Sequence, residues 1–294
     1  MLAVRRPPLL ILGHVTRDTF GSSTRLGGAA AFAAQAAVLL GIEARLVTVA
    51  PDDAPEVDAL RGLPGLELAV ARSDRITTFG HEYVAERRQL SLAERARPLV
   101  LDDVPAAWRR PELVYLGPVA GECDEALLAG LDAAYAMGCI QGWLRDPVAG
   151  RRVRPRRLAP TCRIPPSLRA VSFSASDHPA AAELSRELAA AGVRVAITRG
   201  RRGARVAWHG GEGWVPAEPA RQVDPTGAGD IFALVFGLAS WAGHEPLEAA
   251  RRAALAAARV VEGPGLGTLA AARDALSFEA SAPFEGPDTT ATAR

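Results

Sequence analysis

Val223-Asp224-Pro225-Thr226-Gly227-Ala228-Gly229-Asp230-Ile231-Phe232 decides how the rest of the chain is read. The segment follows the strand-like Gly213–Pro216 and leads into an apolar stretch of helical period. Small residues at Gly227, Ala228 and Gly229 let the first N–H groups of that helix approach an anion closely. A helix start carries unpaired donors and about half a positive charge. Asp230 falls in the first turn, beside this anion hole. A carboxylate there can take the proton of an attacking hydroxyl while the amides receive the charge on a transferring phosphoryl group. A first-turn acid also favours the helix dipole without doing chemistry, so the segment alone leaves both readings open.

Outward from it, strand-like apolar runs alternate with Ala-rich helical stretches, the pattern of a mostly parallel sheet covered by helices. Leu9–Leu12, Arg45–Val49, Leu113–Leu116, Cys139–Leu144, Ala170–Phe173 and Val193–Thr198 read as strands. Helices are expected over Ala29–Leu40, Glu125–Met137, Pro179–Ala191, Gly227–Ala242 and Pro246–Glu262. A hairpin joins Ala204–Trp208 to Gly213–Pro216. Residues 66–99 break the rhythm: Leu66–Ala71, Thr77–Val84 and Arg88–Leu92 are short and alternating, with no long helix between them. They predict a small antiparallel sheet projecting from the body, either a lid that excludes water from a reaction or a bare β-insertion. One domain is expected over 1–278, with a disordered tail over 279–294.

Composition removes several chemistries. The sequence holds no lysine and no asparagine, so all 34 basic residues are Arg. A Walker A loop, a protein-kinase strand Lys and a pyridoxal-phosphate site each need lysine and are excluded. Phosphate must be handled by Arg, backbone N–H groups and a metal. The net charge of +1 offers no field for a nucleic acid or a membrane surface. Cys123, Cys139 and Cys162 lack C-x-x-C spacing and read as reduced thiols. Leu9–Leu12 is too short for a signal core or a span, which predicts a cytoplasmic protein. The five histidines have no ligand spacing for zinc. Gly263-Pro-Gly265-Leu-Gly267 follows a helix rather than a strand, so it is no dinucleotide loop.

Asp224-Pro-Thr-Gly-Ala-Gly-Asp230 resembles the C-terminal signature of the PfkB, or ribokinase-like, carbohydrate kinases, D-T-x-G-A-G-D. Four further motifs fall in that family's order. Leu12-Gly-His-Val-Thr-Arg-Asp18 is similar to a first strand ending in an Asp that holds substrate hydroxyls. Arg25-Leu-Gly27-Gly28 resembles the N-terminal di-glycine signature. Thr198-Arg-Gly200-Arg-Arg-Gly203 resembles the turn beside the nucleotide, and Val261-Glu-Gly-Pro-Gly265 stands where the adenine pocket closes. The resemblance implies a three-layer α/β/α fold with a β lid, and transfer from ATP with Mg²⁺ to a small polyol or sugar. It implies Asp230 as base, nucleotide contacts at Asp224 and Thr226, and a monovalent cation such as K⁺ near Asp224. It leaves monomer or homodimer open.

Departures narrow the branch. Phe32 stands where the family places a sugar-binding Asn. Ser174-Ala-Ser-Asp177 replaces the N-x-x-E that orients magnesium waters. Ser174 and Asp177 can still hold metal-bound water, although Asp177 also reads as a helix N-cap. Gln141-Gly-Trp-Leu-Arg145 resembles the myo-inositol-kinase-like branch, with Gln141 at the substrate. Arg145 is then a phosphate clamp, its alternative being a solvent-facing arginine.

Overall fold

The computed structural model describes residues 7–84, 87–156 and 165–272. Its centre is β1 (Leu9–Leu12), whose side chains divide by the two-residue period of a strand. Leu9 and Ile11 enter one buried cluster and Leu10 and Leu12 another, so helices must cover both faces.

After β1 come β2 (Thr16–Phe20), β3 (Ser23–Gly27), α1 (Ala29–Leu39), β4 (Ala44–Ala50), the single turn α2 (Pro55–Asp58), β5 (Leu66–Arg72), β6 (Thr77–Val84) and β7 (Arg87–Glu94). Then follow β8 (Leu113–Leu116), α3 (Glu125–Ala129), β9 (Tyr135–Cys139) and three two-residue strands, β10 (Arg145–Asp146), β11 (Arg151–Arg152) and β12 (Arg154–Pro155). The last are β13 (Leu168–Ser174), α4 (Ala181–Ala190), β14 (Arg194–Thr198), β15 (Ala204–Trp208), β16 (Gly211–Val215), α5 (Ala228–Trp241) and α6 (Pro246–Val260).

Nine strands form the main sheet in the order β16-β15-β14-β13-β9-β8-β1-β4-β5. It is parallel from β14 to β5, and β15 and β16 add an antiparallel edge. α1, α5 and α6 pack on one face, and α3 and α4 on the other. This is the three-layer α/β/α architecture. Alanine-rich α1 has no bulky side chain to hold it off the sheet: a Cβ at Gly117 would come within 2.8 Å of the Ala30 nitrogen. Such close helix–strand contact is possible only between small residues. A second, mostly antiparallel sheet has the order β11-β7-β6-β2-β3, with β2 and β6 parallel.

Several expectations are corrected. Leu66–Ala71 does not belong to the projecting sheet; as β5 it pairs in parallel with β4 at the edge of the main one. The projecting sheet instead recruits β2, β3 and β11, which lie far away in sequence. Asp18 therefore does not end the first strand, which stops at Leu12, but sits within β2. The helix expected over Glu125–Met137 ends at Ala129 with Gly130 as its cap, and Tyr135–Cys139 is a fully buried strand. A Cβ at Gly138 would collide with the Leu116 carbonyl, so close pairing to β8 selects glycine there. Cys139–Leu144 is likewise no strand: Gln141–Leu144 forms one 3₁₀ turn. The tail expected over 279–294 and Cys162 lie outside the described residues. Among those described, no helix is long and apolar enough to cross a membrane.

Candidate active site

A cavity of about 520 Å³ opens between the C-terminal ends of the central strands and the second sheet. In open α/β sheets this is where ligands collect, because connections diverge there and leave a crevice. Asp230 reaches it from the first turn of α5. Gly227, the N-cap, has φ +79°, a left-handed conformation that glycine adopts without cost. Gly227, Gly229 and Thr226 line the same cavity; the Ala228 amide donates to the Pro225 carbonyl at 3.3 Å, and α5 directs its remaining first-turn amides toward that end of the helix. No side chain caps this terminus, so those donors have no side-chain partner at the cap.

The carboxylate of Asp230 accepts a hydrogen bond from Gln141 at 3.4 Å, with the buried Cys139 thiol alongside. Burial pushes its pKa up to about 7; Arg145 opposes this, while the charges of Asp177 and Asp18 reinforce it. A carboxyl group poised near neutrality suits proton transfer at physiological pH. The 3₁₀ turn Gln141–Leu144 sets the geometry around this carboxyl. Gly142 packs against the backbone of Pro118, and the tight turn aims both Gln141 and Arg145 into the cavity.

Arg145 pairs with Asp177 at 3.2 Å, and Asp177 also accepts from the Ser174 amide at 2.8 Å. Asp177 is not the cap of α4, a position held by Ala180. The Ser174 and Ser176 hydroxyls are 2.8 Å apart beside it, and Thr198 completes this wall. Among the described residues no three His, Cys, Asp or Glu side chains cluster as metal ligands. With Asp177 already engaged by Arg145 and Ser174, these oxygens fit a Mg²⁺ that keeps its waters and arrives with a phosphate ligand, not a directly ligated ion.

On the opposite wall Asp18 stands 3.1 Å from Nε2 of His81. Thr16 donates to the other Asp18 oxygen at 2.9 Å. Gly27 does not line the cavity but backs onto this carboxylate: a Cβ there would stand 2.5–2.6 Å from its atoms. Gly28 does line it, with φ +98°, as does Phe32 from α1.

Other expected residues lie behind the cavity. Gly200 and Gly203 shape the turn from β14 to β15, where the Arg199 amide donates to the Gly203 carbonyl at 2.8 Å. Gly265 follows α6 and does not line the cavity, and Ala228 faces away from it. Asp224 accepts from the Thr226 amide at 2.9 Å, and Arg25 lies 3.6 Å from its second oxygen. A guanidinium thus already supplies positive charge where a monovalent cation was expected.

Sequence reasoning missed His81, Phe79, Gln89, Arg152 and Arg154, which all line the cavity. It also missed the buried Glu122, which accepts from the amides of His14, Val119 and Ala120 and ties the loop after β1 to the loop after β8. Nothing local in sequence marks these positions; each is defined by long-range pairing.

Comparison with known proteins gives four matches, all to kinases. Residues 168–272 match the family described as pfkB family carbohydrate kinase. A cytidine kinase of Thermococcus kodakarensis is 27% identical over 271 residues, covering 86% of this chain and 95% of that protein. An inositol 3-kinase of Zea mays is 57% identical over 42 residues, 14% of this chain and 11% of the relative. Among solved structures, a pyrophosphate-dependent kinase in the ribokinase family, complexed with a pyrophosphate analogue and myo-inositol, superposes with a TM-score of 0.74. Its identity is 20%, with 90% of this chain and 98% of that chain covered.

Proposed function

We propose that the chain is a member of the pfkB family of carbohydrate kinases, whose model residues 168–272 match, and that it transfers the terminal phosphoryl group of Mg·ATP to a hydroxyl of a small polyol, sugar or cyclitol. A myo-inositol-like ring is favoured, and the reaction is placed in the cytoplasm. The observation that carries this reading is Asp230: a carboxyl with its pKa pushed up to about 7, on the first turn of α5, in one cavity with Arg145, Asp177 and Asp18.

In this mechanism Asp18 and the Gly28 backbone hold acceptor hydroxyls, with Gly27 supporting the Asp18 carboxylate from behind. Asp230 takes the proton of the reacting hydroxyl, whose oxygen bonds to the γ-phosphorus as the bond to the bridging oxygen breaks and ADP leaves. The Gly227–Gly229 amides and Arg145 receive the developing charge. Thr198 and Thr226 face the donor, with Gly200 and Gly203 shaping the turn behind them and Gly265 set back after α6. Asp177 and Ser174 would hold the waters of a Mg²⁺ ion, which would supply positive charge against the phosphates. No step depends on a monovalent cation at Asp224.

Two observations favour neighbouring readings. The cytidine kinase match spans most of the chain, which supports a nucleoside acceptor. The likeness to a pyrophosphate-dependent kinase supports pyrophosphate as an alternative donor. A panel of cyclitols, sugars and nucleosides, each with ATP and with pyrophosphate, tests all of these. Cyclitol phosphorylation from ATP is expected. Strong preference for a furanose sugar or nucleoside would overturn the cyclitol reading, and absence of transfer to every acceptor would leave only a silent ligand binder.

A further inference from the structure

Three arginines border the main cavity, and among the described residues only Arg145 has a carboxylate partner. Arg152 and Arg154 are exposed, on an arm hydrogen-bonded to both neighbours: β11 pairs Arg152 with Ser91 of β7, and β12 pairs Arg154 with Asp146 of β10. Both also border a second cavity of about 350 Å³ shared with Asp146, Val148 and Arg151, and among the described residues Asp146 forms no ion pair with either. The acids of the main cavity do not balance them. Asp18 is beside His81, Asp177 is beside Arg145, and burial disfavours the charged form of Asp230. Two guanidinium groups are left facing the ligand space.

Their place in the topology indicates which ligand they meet. The sheet order β11-β7-β6-β2-β3 sets Arg152 on the first strand and Asp18 on the fourth. Three inter-strand spacings separate those backbones by roughly 14 Å, a span that a long arginine side chain shortens considerably. A polyol gripped by Asp18 therefore extends beneath this sheet toward Arg152. The donor side, by contrast, begins at α5, where the glycine amides lie, with Arg145 at the start of β10. We infer that the acceptor carries an anionic group, a phosphate or a carboxylate, received by Arg152 and Arg154. The planar guanidinium matches either group with two parallel hydrogen bonds, and the bonds are stronger for being charge-assisted. This inference rests on the kinase reading above and sharpens its substrate class.

Matched acceptors test it: myo-inositol against myo-inositol 1-phosphate, and glucose against glucose 6-phosphate and gluconate, with Mg·ATP and Mg·pyrophosphate each as donor. An anionic member should exceed its neutral parent in kcat/KM by about ten- to a hundredfold. The two glucose derivatives distinguish phosphate from carboxylate. In Arg152→Gln and Arg154→Gln that preference should collapse through a rise in acceptor KM. Preference of the parent protein for neutral acceptors overturns the inference while leaving the kinase intact. A rise confined to donor KM in the variants assigns the arginines to the donor and overturns it equally. Failure of every acceptor, neutral and anionic, instead removes the kinase reading itself, and the inference with it.

Discussion

The ring of Phe32 on α1 stands against Gly227 at the start of α5, where a Cβ on the glycine would lie 2.8 Å from the nearest ring carbon. Two constraints thus meet at one residue: the left-handed φ of +79° and the aromatic wall. Gly227→Ala should cost about 1–2 kcal/mol of stability from the backbone conformation alone, and lower kcat by tilting the first-turn amides. Phe32→Ala added to it relieves the collision but not the backbone strain, so rescue should be partial. Full activity in Gly227→Ala would show that these amides do not contact the transferring group.

Asp230→Asn keeps the shape of the helix start and removes the proton acceptor. kcat should fall by about 10²–10⁴, with donor affinity little changed. In the parent protein the raised pKa means that the competent, ionised base is lost as pH falls through about 7. The acid limb of kcat/KM should therefore bend near neutrality, well above an ordinary carboxylate. A profile flat down to pH 5 would exclude Asp230 as the base.

The same shift links Asp230 to folding. A carboxyl whose pKa is higher in the folded than in the unfolded chain favours the fold at low pH, and that contribution disappears as pH rises through about 7. Asp230→Asn should then raise Tm relative to the parent at pH 8, with the difference shrinking toward pH 4. Equal differences at both ends would mean that the carboxyl is not desolvated.

His81 stacks on Phe20 with ring centroids 4.4 Å apart and lies beside Asp18. His81→Phe retains a stacking ring and removes the polar partner of the carboxylate. Acceptor KM should rise about tenfold, with a smaller effect on kcat and on donor KM. If only thermal stability changes, His81 serves packing rather than positioning.

Turnover should require a divalent metal and vanish in excess chelator. Asp177→Asn weakens both the pairing with Arg145 and the grip on metal-bound water, so the Mg²⁺ concentration for half-maximal rate should increase. Full turnover in chelator would remove the metal from the reaction.

The glycine-rich helix start, the alternation of apolar strands with Ala-rich helices and the exclusions that follow from the missing lysine were legible in the chain by itself. They depend on residue type and local periodicity, which survive any tertiary arrangement. Tertiary structure decided what local pattern leaves degenerate. Tyr135–Cys139 is short and apolar enough for helix or strand, and only its place between β8 and β13 selects the strand. Leu66–Arg72 looked like part of the appendage until β4 claimed it. The projecting sheet joins strands drawn from residues 16–27, 77–94 and 151–152, and no local signal encodes such partners or their register. That assembly carries Asp18 away from the first strand and sets it beside His81, and brings Arg152 to the other edge of the same sheet. The proton affinity of Asp230 was beyond sequence for the same reason: it is set by the desolvation and charges that folding gathers around a carboxylate whose identity alone was visible.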